Sequence, residues 1–171
     1  MNKYPMTGYS KPVSLKGIPV QIHWSFPAGG LFVALILGDW NLVTVTSLIA
    51  AYTSLILVHE MGHAIAARSY SLKVHGILIT AAGGWCYADN PQSTAASLVF
   101  YGGGLIAQFI LFVGSVIFLY IYGSPTSIIF NCFILVFTFV NVVLFVINIY
   151  PFESTDGKHL WNTLESYKQQ A

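Results

Sequence analysis

The stretch LVTVTSLIAAYTSLILVHEMGH, residues 42–63, is uncharged from Leu42 to Val58 and then turns abruptly into His59-Glu60-Met61-Gly62-His63. An apolar run of this length predicts a membrane-spanning helix, because lipid offers the backbone no hydrogen-bond partners and a helix satisfies its own. On a helix, residues i and i+4 lie one above the other. His59 and His63 therefore share a face and can reach one metal ion, and Glu60 is placed to take a proton from water held there. Ionisable groups at the end of an apolar helix are costly, so three of them together point to chemistry rather than to packing.

The rest of the chain agrees with a lipid environment. Of 171 residues, 56% are hydrophobic and 8% charged, with a mean hydropathy of +0.69. Soluble domains carry about 25% charged residues. The chain has the length of one domain, expected as a single membrane-embedded unit over residues 1–171. A formal charge of +1 gives no footing for nucleic acid. The first 23 residues contain no apolar run of the kind a cleavable signal needs.

Four spans are predicted, over residues 24–38, 42–68, 97–122 and 128–150. The first is short and contains Pro27, Gly29 and Gly30. All seven basic residues (Lys3, Lys11, Lys16, Arg68, Lys73, Lys158 and Lys168) fall in the N-terminal segment, the connection after span two or the C-terminal tail. Basic residues stay on the cytoplasmic side, so four spans predict two cytoplasmic termini. Trp24, Trp40, Tyr120, Tyr122 and Tyr150 lie near the span ends, as an interfacial belt requires.

Between spans two and three, Leu72–Thr80 is rich in β-branched residues and is followed by Gly83 and Gly84. Gly17–Trp24 has similar strand character. The expected fold is an all-α polytopic membrane protein of about four transmembrane helices, with a small cytoplasmic β-sheet or hairpin joining these segments. Cys86 and Cys132 form no CxxC pair and are expected to be buried thiols.

A catalytic zinc usually takes three protein ligands and leaves one position for water. Span four ends in Asn148-Ile149-Tyr150-Pro151-Phe152-Glu153-Ser154-Thr155-Asp156-Gly157, which the topology returns to the side of His63. Asp156 is then within reach as third ligand, with Glu153 as its rival.

With these residues in place, the sequence resembles the site-2 protease family of intramembrane metalloproteases. The resemblance is carried by LVHEMGHAIAA (Leu57–Ala67), ITAAGGW (Ile79–Trp85) and NxxPxxxxDG from Asn148 to Gly157. GIPVQIHWSF (Gly17–Phe26) resembles the segment leading into the first helix of compact bacterial members. The resemblance implies one Zn2+ held by His59, His63 and Asp156, with Glu60 as base. It also implies hydrolysis of transmembrane protein substrates in or near their spans, in a bacterial inner membrane. Gly83 and Gly84 are candidate substrate-binding residues.

The resemblance lapses in the third span. The family's Gly-Pro-x-x-Asn element, whose asparagine is credited with stabilising an oxyanion, reads here Gly103-Gly104-Leu105-Ile106-Ala107-Gln108. An oxyanion donor is worth about 10²–10³ in rate. Gln108, His23 and Asn148 are the candidates for that role or for supporting a ligand. A relative that binds membrane proteins and cuts them weakly or not at all is the alternative. His75 and His159 are expected to be solvated and without a role.

Overall fold

The computed structural model describes residues 8–170. A four-stranded sheet stands at one end of a helical bundle. Its strands are β1 (Val13–Leu15), β2 (Ile18–Ile22), β3 (Val74–Thr80) and β4 (Gly83–Ala88), in that spatial order. The expected partnership of the two strand-like segments forms as a parallel pairing of β2 with β3, Val20 opposite Ile77. β1 and β4 extend it antiparallel on either side. The molecule is therefore mostly helical rather than all-α, because the β-branched segments pair instead of continuing the helices.

Helix α1 (Pro27–Leu37) begins with Pro27, whose missing N–H costs nothing in a first turn. It ends at Gly38 with φ 67°, the left-handed conformation glycine adopts freely. Eleven residues reach only about 17 Å, little more than half of a bilayer core of about 30 Å. Among the described residues three helices are long and apolar enough to cross a membrane: α2 (Leu42–Ser69), α3 (Thr94–Tyr122) and the continuous helix Ile128–Ile149. About four spans were expected, the first of them short; the structure has these three and a shorter apolar helix packed on α2. The chain is an integral membrane protein on this count.

The last spanning helix is not uniform. It consists of α4 (Ile128–Leu135), a π-helical turn (Val136–Val140) and α5 (Asn141–Ile149). Hydropathy cannot register such a change, since all the side chains but Thr138 stay apolar while the backbone bonding shifts by one residue. The polar tail folds into a further helix, α6 (Asp156–Gln170), which packs on α3 and α5.

α2 is the axis of the molecule and touches α1, α3, α4, β3 and β4. Asn41 caps it by accepting the Val43 N–H at 2.9 Å. Its faces bury Leu48, Ala51, Leu55 and Ala64, and Ile77 and Ile79 of β3 complete the same core. Glycines set the helix spacings. At the α2–α3 crossing Gly62 and Gly103 meet so closely that a Cβ on either would run into the other's backbone. Close approach of this kind is how helices associate in lipid, where dispersion and hydrogen bonds do the work.

Candidate metal centre

The lower turns of α2 carry His59, Glu60 and His63, all buried. α6 begins at Asp156, and that start brings its carboxylate against both imidazoles. Asp156 Oδ2 lies 3.1 Å from His59 Nε2 and 3.2 Å from His63 Nε2, and the two Nε2 atoms are 3.1 Å apart. Each ring is fixed from behind. His63 Nδ1 donates to the Phe100 carbonyl at 2.8 Å, and His59 Nδ1 donates to Gln108 Oε1 at 3.0 Å. In neutral rings so bonded, both Nε2 lone pairs point at one spot, together with a carboxylate oxygen.

Three acceptors facing one another can hold a cation between them. A tetrahedral ion with bonds of about 2.0–2.1 Å sets its ligands roughly 3.3 Å apart, close to the near-equilateral triangle seen here. Asp156 Oδ2 is buried with no hydrogen-bond partner of its own. The donor set of two imidazoles and one carboxylate suits zinc, and these residues fit such an ion. Burial alone pushes the Asp156 carboxyl up, but a proton at Nε2 of the adjoining His59 and His63 rings outweighs it and brings it down to about 2, so a proton shared by the trio sits on an imidazole and leaves the carboxylate ionised.

Gly104 explains part of the departure in the third span. A Cβ there would collide with both His59 and His63 rings. A side chain at this position is therefore incompatible with the imidazole pair as placed. Ala107 sits against Gly62 in the helix crossing, and the position that reaches the histidines is Gln108.

The trio lies in the wall of a cavity of about 360 Å³, shared with Glu60, Gly83, Gly84, Asn148, Tyr101 and His159 among others. Glu60 is 3% exposed. Gly84 packs directly on its side chain, and a Cβ at Gly84 would strike the carboxylate. Cys86 also lines the cavity, and burial together with the Glu60 carboxylate pushes its thiol up to about 12. It stays protonated and offers no thiolate. Both cysteines are free.

The remaining sequence candidates separate clearly. Asn148 lines the cavity and donates from Nδ2 to Gln108 Oε1 at 3.4 Å. Gln108, 1% exposed, stands behind His59 and outside the cavity lining. His23 lies away from the cavity, bonded through Nδ1 to Ser25 Oγ at 2.8 Å and packed between Tyr9 and Trp24. Glu153 is exposed and absent from the lining. His75 is an exposed partner of Asp89 at 2.8 Å.

Tyr101 carried no expectation, and His159, expected to be solvated and without a role, is exposed and also lines the cavity. His159 stacks face to face on Tyr101, with centroids 4.3 Å apart and planes 5° off parallel. The one available signal was its place three residues after Asp156, on the same side of a helix that the polar tail did not advertise.

No protein-family model matches the chain, and no curated protein matches it in sequence. Among solved structures, the site-2 protease from Methanocaldococcus jannaschii superposes with a TM-score of 0.69 at 18% identity. The match covers 94% of this chain and 73% of that one. The chain has a site-2 protease-like fold. In that fold, His59, His63 and Asp156 lie close enough together to bind one metal ion.

Proposed function

We propose that the protein is an intramembrane zinc metalloprotease that hydrolyses peptide bonds in or near the transmembrane segments of membrane proteins. The observation that carries this reading is the convergence of His59 Nε2, His63 Nε2 and Asp156 Oδ2 beside Glu60 in one cavity. A bound zinc ion would lower the pKa of a water molecule and polarise the scissile carbonyl. Glu60, one residue along from His59, accepts a proton from the attacking water and returns it to the leaving amine nitrogen. Asn148, with its amide in the cavity wall, is the remaining candidate to donate to the developing oxyanion.

A substrate helix has its carbonyls tied up internally and must unwind before it can be cut. β3 is paired on both sides and offers no place for an added strand. β4 is the edge strand on the cavity side, and its Gly83 and Gly84 line the cavity. An extended substrate adds to that edge, where main-chain bonds hold it in a sequence-tolerant way. The absence of side chains at both glycines lets its backbone come close to Glu60.

Arg68 donates to the Lys16 carbonyl at 3.2 Å, so basic residues from two segments gather at the sheet end of the bundle. This supports a cytoplasmic sheet and cytoplasmic chain ends, with cleavage near the cytoplasmic end of the substrate helix. The deciding experiment takes the detergent-purified protein and a panel of single-span substrates, with bound zinc counted. The parent is expected to cut, and Glu60→Gln to keep one zinc while losing about 10²–10⁴ in rate. If both proteins hold zinc and neither cuts, the alternative of an inactive relative that binds membrane proteins takes its place.

A further inference from the structure

Two amide side chains lie at the centre of the spanning helices, where unpaired polar groups are costly. Gln108 of α3 and Asn141 at the start of α5 are each 1% exposed. Their bonds form a directed chain. Asn141 Nδ2 donates back into the π-helical turn, to the Phe137 carbonyl at 3.1 Å. The same nitrogen donates across to the backbone carbonyl of Gln108 at 2.9 Å. Gln108 Oε1 then accepts from His59 Nδ1 at 3.0 Å and from Asn148 Nδ2 at 3.4 Å.

Each link has a physical reason. A π-turn shifts the backbone ladder by one residue and is used where a helix must present a group to a site. Here the shift is met by the Asn141 side chain, so the irregular turn is pinned to α3 at the residue that supports His59. An acceptor behind one imidazole nitrogen fixes the tautomer and aims the other nitrogen, and it makes that nitrogen a better donor to a metal. Gln108 supplies the acceptor, and Asn141 fixes the backbone from which Gln108 reaches.

We infer that Gln108 and Asn141 are positioning residues that hold His59 in its metal-binding tautomer and tie the π-turn of the last spanning helix to metal affinity. The inference rests on the reading of His59, His63 and Asp156 as metal donors. Gln108 touches a donor directly and acts on its orientation. Asn141 touches no donor and acts through Gln108, so a change in the last helix alters how tightly the ion is held.

The test uses the full chain in lipid nanodiscs. Zinc affinity is read by competition with a chromophoric chelator, and the absorption spectrum is recorded after cobalt replaces zinc. Gln108→Leu is expected to weaken zinc about 10–100-fold and to shift the cobalt bands, with helix content unchanged. Gln108→Glu keeps an acceptor at the same reach and is expected to bind zinc at least as tightly as the parent. Asn141→Leu is expected to weaken zinc by roughly 3–10-fold.

Parent-like zinc affinity in Gln108→Leu overturns the role of Gln108. Should that variant fail to fold, weakened zinc in the isosteric Gln108→Glu overturns it equally. A normal Asn141→Leu beside a weakened Gln108→Leu removes the link to the π-turn. If the parent itself holds no zinc, the metal reading has failed and the inference goes with it, an outcome distinct from the other three.

Discussion

The two halves of α3 are packed in opposite ways. Near its start, Gly103 and Gly104 let it press against α2 until backbone meets backbone and both histidine rings fill the space over Gly104. Toward its far end, around Gly114, it borders a wholly apolar cleft of about 680 Å³ lined by Phe118, Phe130, Phe133 and Phe137 among others. Gly114 has nothing within 4 Å of where a Cβ would stand, and neither has Gly102. Glycine is thus required at positions 103 and 104 and idle at 102 and 114. Composition alone would score them alike; what distinguishes them is the neighbouring helix, and rigidity is concentrated where three donors must meet.

This contrast can be broken by substitution. The largest effect is expected from Gly104→Ala, whose methyl group must displace imidazoles already held from behind. Overpacking of about 1–3 kcal/mol, taken up by the donor set, weakens zinc about 10–100-fold, measurable by chelator competition. An unchanged affinity would mean that the rings move freely and that the crossing is not rigid.

Gly103→Ala is expected to cost about 1–3 kcal/mol of stability, since its Cβ meets the Gly62 carbonyl and Ala66 rather than a mobile side-chain end. Unfolding in mixed micelles measures it. Ser93→Ala removes the hydroxyl that accepts the Ala96 N–H at 3.1 Å and should cost about 1 kcal/mol, read in the same assay. Gly114→Ala should be neutral or stabilising by up to about 1 kcal/mol, because the new methyl enters open space. A loss there as large as that at Gly103 would erase the distinction between the two halves.

What could be read from the sequence follows from the range of each signal. His59 and His63 were legible because one helical turn fixes their relation. Asp156 was legible through topology, since the span count returns it to the right side. The pairing of Gly17–Trp24 with Leu72–Thr80 was legible as β-character, but the parallel register and the outer strands were not.

The π-turn was hidden because Val136–Val140 is as hydrophobic as any other turn of the helix. α6 was hidden for the reverse reason: its polar residues read as tail, although Leu160, Trp161 and Leu164 recur at helical spacing. His159 went with it. Gln108 was noticed as a departure from a family pattern, and only its distance to His59 assigns it to the back of the ring.

The three donors come from two places far apart in the chain, the end of α2 and the start of α6, with two spanning helices between them. During synthesis the two histidines emerge long before Asp156. Until the last span has crossed the bilayer and reversed, the nascent protein has a pair of imidazoles and no carboxylate to close the triangle. The capacity to hold one metal ion through all three donors, on this architecture, is a property of the finished topology: a half-inserted chain has only two of them to offer.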